Sequence, residues 1–220
     1  HGAEDPAGPE TWIVRAGGSG DDIPTDVIVR SDGSIVMVGC TSPGDSLEEP
    51  CTFWMATLSP SGEVMSNLVA NGVVLEGVMG SPRVAALDDG GAMIASPVRP
   101  EESGDIAVWL ARLDAMGSIV GQEVVGGPGD ETGLDLAVRH DGGFVLAAAS
   151  ESFSDSRDIW IVGLGEDGSI AWQVSAGGEG SEELPRVLED AAGNLFLSCS
   201  TTSFGSEDTD TWLIAIDPGR

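Results

Sequence analysis

The residues with chemistry to offer in this 220-residue chain are overwhelmingly carboxylates: 37 Asp and Glu against nine basic residues, for a formal charge of −28. All nine cations are Arg. Two settings space the acids for cation binding. Asp21, Asp22, Asp130 and Glu131 close Gly-rich loops, and Asp158 and Asp210 open Asp-x-Trp segments. Hard oxygen ligands from carboxylates and loop carbonyls are what Ca²⁺ takes, so these six are the candidate metal ligands and Ca²⁺ is the candidate cofactor. No D-x-D-x-D-G loop supports them, and no motif demands any other cofactor. Paired carboxylates also hydrolyse glycosides, one as acid and one as base or nucleophile, but with so many acids no pair is singled out. His1 and His140 are the only imidazoles, and His140 falls in a turn. There is no P-loop and no GxSxG.

Three cysteines form no CxxC. Cys40 and Cys51 flank a ten-residue stretch rich in Pro, Gly and acid. A loop there, between neighbouring antiparallel strands, would bring the two sulfurs to its mouth as a disulfide. Cys199 lies in an apolar run and reads as core. A disulfide fits an extracellular, cell-surface or periplasmic address. The negative field repels phosphate backbones and anionic lipid, which argues against nucleic-acid partners. No apolar run approaches the roughly 20 residues that span a bilayer, so membrane insertion is not expected.

The elements that must position these residues repeat. A turn glycine recurs at Gly33, Gly90, Gly142 and Gly193, and a tryptophan at Trp54, Trp109, Trp160 and Trp212. A second turn glycine recurs at Gly62, Gly117, Gly168 and Gly219. All three keep a period of about 50 residues, the span of one supersecondary unit. Each unit holds short Val-, Ile- and Trp-rich runs bounded by Gly, Asp and Ser, which read as strands. Asp-Gly between the first two is a hairpin signal. Four antiparallel strands per unit describe a β-propeller blade.

The expected fold is therefore an all-β, four-bladed β-propeller spanning 11–220 behind a tail at 1–10. Blades run about 19–72, 73–127, 128–178 and 179–220. The last unit stops after its third strand, and the segment around Trp12 resembles a fourth. Residues 11–18 are thus expected to complete blade four and close the ring, removing an open edge.

The pattern Gly126-Gly127-Pro128-Gly129-Asp130-Glu131, then Asp141-Gly142-Gly143, then Asp158-Ile159-Trp160-Ile161-Val162 resembles the repeats of bacterial secreted β-propeller proteins. Gly168 to Trp172 is faintly similar to the tryptophan-docking motif of quinoprotein-like propellers. These resemblances imply an envelope or secreted location and a binding or scaffolding role, with no particular reaction.

Strand alternation sends the longer loops to one face, and much of the acid goes with them, including Asp45, Glu48, Glu49, Glu101, Glu102 and Glu207. Loops on a rigid scaffold carry function, and a rim this acidic selects cations or basic partners. The primary expectation is a non-catalytic, extracytoplasmic binding or scaffold module that takes a protein or glycan on this face. Two alternatives stand beside it. One is a carbohydrate-active hydrolase with carboxylates at the channel mouth. The other is a structural subunit that homo-oligomerises by strand exchange.

Overall fold

In a computed structural model of the chain, residues 12–18, 20–42, 51–75, 81–100, 104–205 and 208–216 are described. The tail at 1–10 and the loop acids Asp45, Glu48, Glu49, Glu101, Glu102 and Glu207 lie outside them. Among the described residues fifteen strands account for the regular structure, and no helix is long and apolar enough to cross a membrane.

The first sheet holds β1 (Asp21–Val29), β2 (Ile35–Ser42), β3 (Cys51–Leu58) and β4 (Val64–Leu75). The second holds β5 (Arg83–Ala86), β6 (Ala92–Val98), β7 (Ala107–Leu113) and β8 (Ile119–Val125). The third holds β9 (Glu131–Val138), β10 (Phe144–Ser150), β11 (Asp158–Leu164) and β12 (Ile170–Ala176). The fourth has three strands, β13 (Glu182–Glu189), β14 (Leu195–Thr201) and β15 (Asp210–Ile216). Every sheet is an antiparallel meander in chain order. The hairpins follow from turn chemistry. At the β9–β10 turn, Gly142 takes φ 85° and its N–H reaches the Arg139 carbonyl at 3.0 Å. The Asp141 carboxylate accepts the Gly143 N–H at 3.1 Å.

The first strands of successive sheets, β1, β5, β9 and β13, pack side by side, so the sheets fan outward from a common inner edge. Middle strands are covered on both faces: all seven residues of β10 and of β11 are buried. That burial explains why these runs show no alternation. Outer strands β8 and β12 are mostly exposed.

Among the described residues three core clusters lie at junctions between sheets, and a fourth, of Trp54, Ala56 and Leu58, lies on the first sheet. Phe53 and Met55 meet Val84, Ile94 and Trp109, with the Phe53 and Trp109 rings edge-on at 5.3 Å. Met93 and Leu110 meet Leu134, Phe144 and Trp160. Val145, Ile159 and Ile161 meet Val187, Leu197 and Cys199. Each such side chain contributes about 1.5–3 kcal/mol by leaving water. The indole N–H of each buried tryptophan also needs an acceptor. The outer strand supplies one: Asn67 for Trp54 at 2.6 Å, Gln122 for Trp109 at 3.1 Å and Gln173 for Trp160 at 2.9 Å.

Two expectations are corrected. Residues 12–18 form no strand and do not complete the fourth sheet. They are held against the first sheet instead: Ala16 packs on Trp54, Ala56 and Leu58, and the Gly17 carbonyl accepts from Asn67 at 3.0 Å. The Cys40–Cys51 disulfide is not formed either; both are buried free thiols. Cys40 lies directly across from Phe53 in the β2–β3 ladder, which leaves Cys51 diagonal to it. The two thiols share a hydrogen bond, which lowers the Cys40 pKa and raises that of Cys51. Burial pushes Cys199 up to about 11.

Candidate functional site

The six acids predicted to hold metal do not come together. Asp21 and Asp210 are exposed at opposite ends of the sheet series. Asp22 Oδ2 accepts the Gly18 N–H at 2.7 Å, and Asp130 Oδ1 accepts the Ile106 N–H at 2.7 Å. Glu131 is wholly buried, and its oxygens take the Ser150 hydroxyl at 2.9 Å, the Ser152 hydroxyl and the Gly127 N–H at 3.2 Å. Asp158 is buried and accepts from Ser156 at 2.9 Å. Among the described residues no group of three His, Cys, Asp or Glu is placed to hold a metal ion.

What the Gly-rich loop builds is a latch. Glu182 repeats the Glu131 arrangement with Thr201 at 2.6 Å, Ser203, and the Gly178 N–H at 3.2 Å. Its own backbone N–H reaches back to the Arg157 carbonyl at 2.7 Å, and that of Glu131 reaches Ile106 at 2.8 Å. Each latch thus ties a sheet to the one before it. A side chain on Gly177 would run into both Asp158 Oδ1 and Glu182 Oε2, so only glycine fits there. Burial raises the Glu131 pKa against the hydrogen bonds that lower it. The hydroxyl partners were legible as Ser-x-Ser at 150–152 and Thr-x-Ser at 201–203, where the second strands of the third and fourth sheets end.

The charged groups that do converge lie on the inner edge. Three of the four inner strands carry a bulge at one place: between Pro24 and Asp26 in β1, opposite Ala147–Ala149 in β9, and between Glu183 and Arg186 in β13. Bulges re-aim the side chains that follow them. Here those side chains are Asp26, Asp135 and Arg186, with Arg83 supplied by the start of β5. Asp and Arg therefore alternate from sheet to sheet along the edge. Asp26 Oδ2 accepts the Val84 N–H at 3.0 Å, and Asp135 Oδ2 accepts the Val187 N–H at 2.8 Å. Arg83 donates to the Leu134 carbonyl at 3.1 Å and the Thr25 carbonyl at 3.3 Å. Its Nε stands 3.5 Å from Asp135 Oδ1, and Arg186 stands 4.0 Å from the same oxygen. Burial is the largest influence on Asp135 and raises its pKa; the Val187 N–H and the two arginines pull the other way.

Two cavities flank Arg186, which lines both. One, of about 200 Å³, is walled by Arg83, Arg157, Glu183 and Leu184. The other, of about 240 Å³, is walled by Asp135, Leu188, Phe196 and Leu213. Glu183 is held by Arg157 at 3.4 Å. Three of the nine arginines thus gather at one place in a strongly acidic chain. Leu184 sits at φ 54°, where L side chains are strained, and is exposed. The same position in β9 is Gly133, at φ 60°. Leu184→Gly is expected to raise stability by about 0.5–1 kcal/mol, read as a higher urea midpoint, because no buried contact is lost. A cavity of 420 Å³ against β8 at Trp109 and Gln122 carries only one carboxylate, Glu123.

No family model matches the chain, and no curated protein does. Solved structures do match. An α-L-arabinanase of Penicillium chrysogenum aligns with 88% of this chain and 62% of its own, at 12% identity and TM-score 0.59. An α-L-arabinofuranosidase from Fusarium graminearum aligns with 86% of this chain and 60% of its own, at 11% identity and TM-score 0.59. An exo-β-1,3-galactanase from Clostridium thermocellum aligns with 87% of this chain and 44% of its own, at 15% identity and TM-score 0.56. The chain thus spans less than two thirds of the length of each. At these identities the likeness is one of fold, and it supports a β-propeller architecture. It also corrects the expectation of a non-catalytic module: three of these matches are glycoside hydrolases, so the fold gives no ground for setting an enzyme aside.

Proposed function

We propose that the chain is a carbohydrate-active hydrolase whose site lies at the inner edge of four propeller blades, around Arg186. The observation that carries this reading is Asp135, a carboxyl whose pKa burial raises, in the wall of a cavity beside Arg186. A general acid must hold its proton near the working pH to give it to the leaving oxygen. Asp135 takes that role. Glu183, which lines the neighbouring cavity with Arg186 and pairs with Arg157, is the second carboxylate, the one that activates water or attacks the anomeric carbon. Arg83, Arg157 and Arg186 offer donors to sugar hydroxyls or to the carboxylate of an acidic sugar. The hydrolases that share the fold favour a glycan over other substrates.

The test is to incubate the purified chain with arabinan, β-1,3-galactan and polygalacturonate and to follow new reducing ends between pH 4 and 8. Release by the wild type, lost in Asp135→Asn and in Glu183→Gln, is the expected result. No release from any polymer, or equal release by the Asp135→Asn variant, overturns the assignment.

A further inference from the structure

The inner-edge cavity of about 200 Å³ has a charge opposite to that of the chain around it. Arg83, Arg157 and Arg186 stand in its wall, and Glu183 is the one carboxylate that lines it with them. Asp135 and Glu151 reach the same arginines from outside the wall. The whole chain has 37 acids against nine bases, so a third of its cations gather here. The space is small beside the roughly 300–1,000 Å³ of a drug-sized pocket, which suits one group of a larger ligand.

Two of the three arginines have structural work. Arg83 donates to the Leu134 carbonyl at 3.1 Å and the Thr25 carbonyl at 3.3 Å, tying neighbouring inner strands together. Arg157 is held by Glu151 at 3.0 Å and by Glu183 at 3.4 Å. Arg186 has no comparable task. Its side chain is 60% exposed, and among the described residues its one hydrogen bond goes to the neighbouring Pro185 carbonyl at 3.2 Å. Its guanidinium stands ready at the cavity wall.

What such a wall selects follows from its donors. A guanidinium only donates hydrogen bonds, and an ionised carboxylate only accepts them. The planar fork of one meets the two oxygens of the other in parallel bonds, a fit that a sugar hydroxyl cannot reproduce. At about 0.1 M salt, exposed charges more than about 10 Å apart are largely screened. The charge in the wall therefore decides binding at contact, and the net charge of the chain does not.

We propose that this cavity is a carboxylate subsite, and that the glycan acted on at the inner edge carries a uronic acid whose carboxylate sits against Arg186, flanked by Arg83 and Arg157. The inference rests on the hydrolase reading for the glycan, and polygalacturonate is then the polymer cut ahead of arabinan and β-1,3-galactan.

Ligand-observed NMR titration of the intact chain with galacturonate, galacturonate methyl ester and galactose tests it at one ionic strength. None of the three has a glycosidic bond to another sugar, so binding is read apart from catalysis. Galacturonate is expected to bind about tenfold more tightly than its methyl ester, the scale of a charge-assisted pair. Arg186→Gln alters an exposed side chain and is expected to abolish that difference with unchanged circular dichroism. Arg112→Gln, at a separate cavity beside β8, is expected to keep it. Equal affinity for the acid and the ester, or a difference that survives Arg186→Gln, overturns the inference. The two readings fail separately. Reducing ends from arabinan or galactan, without a preference for galacturonate, strike out the uronic acid and leave the hydrolase. A preference lost in Arg186→Gln, with no release from any polymer, strikes out the hydrolase and leaves the carboxylate subsite.

Discussion

Asp135→Asn is expected to lower glycan hydrolysis by about two to four orders of magnitude in kcat, the usual contribution of a positioned acid. The substitution keeps the shape of the side chain, and the amide oxygen still accepts the Val187 N–H seen at 2.8 Å. What it removes is the proton that a general acid gives to the leaving oxygen. KM is expected to move little, since Arg83 and Arg186 remain. The pH profile gives a second readout with a definite sign. A general acid works only while protonated, so wild-type activity falls as pH rises through the raised Asp135 pKa. That limb disappears from whatever activity remains in the variant. A profile that keeps the limb in Asp135→Asn would place the acid elsewhere.

Glu182→Ala is expected to cost about 3 kcal/mol, the scale of losing a buried hydrogen-bond network. Truncation leaves the Gly178 N–H and the Thr201 and Ser203 hydroxyls without their acceptor, the Thr201 hydroxyl in a buried position. For a chain of this size the loss corresponds to a fall of roughly 6–12 °C in Tm. Glu131 is the matching case in the third sheet and adds a pH dependence. Its folded pKa lies above the unfolded one. The folded state therefore binds more protons in the window between the two values. The site contributes most below the unfolded pKa, and that contribution declines as pH rises through the raised folded pKa. Glu131→Gln, which keeps an oxygen for Ser150 and Ser152, is expected to flatten that part of the stability curve in urea titrations. A Glu182→Ala variant with an unchanged midpoint would show that the latch carries no strain between sheets.

The sheets were legible because their determinants are local and repeated. Asp-Gly turns such as Asp141-Gly142 and the tryptophans at 54, 109, 160 and 212 each announce a position in the meander. The latch was visible but misread, since a carboxylate after a Gly-rich loop looks alike whether it holds a cation or caps backbone and hydroxyl donors. The hydroxyls of the buried Ser150 and Thr201 and the half-buried Ser152 distinguish the two. The inner-edge charges were hidden by the repeat itself. Asp26, Arg83, Asp135 and Arg186 occupy one structural place but change sign from unit to unit, so periodicity treats them as noise. The non-catalytic reading followed from that blindness, because the acidic loops were conspicuous and the arginines were not. Residues 12–18 match an outer strand in sequence, yet a strand pattern does not say which sheet it joins.

In the proposed hydrolase a glycan binds at the inner edge and not on the acidic loops. Hydrogen–deuterium exchange on the Asp135→Asn variant, with and without arabino- and galacto-oligosaccharides, tests it most directly. Slowed exchange is expected at residues 81–84, 132–135 and 183–187, where Arg83, Asp135, Glu183 and Arg186 lie. Slowing confined to the loops at 151–158 and 202–205, or none with any sugar that the wild type cleaves, would contradict it.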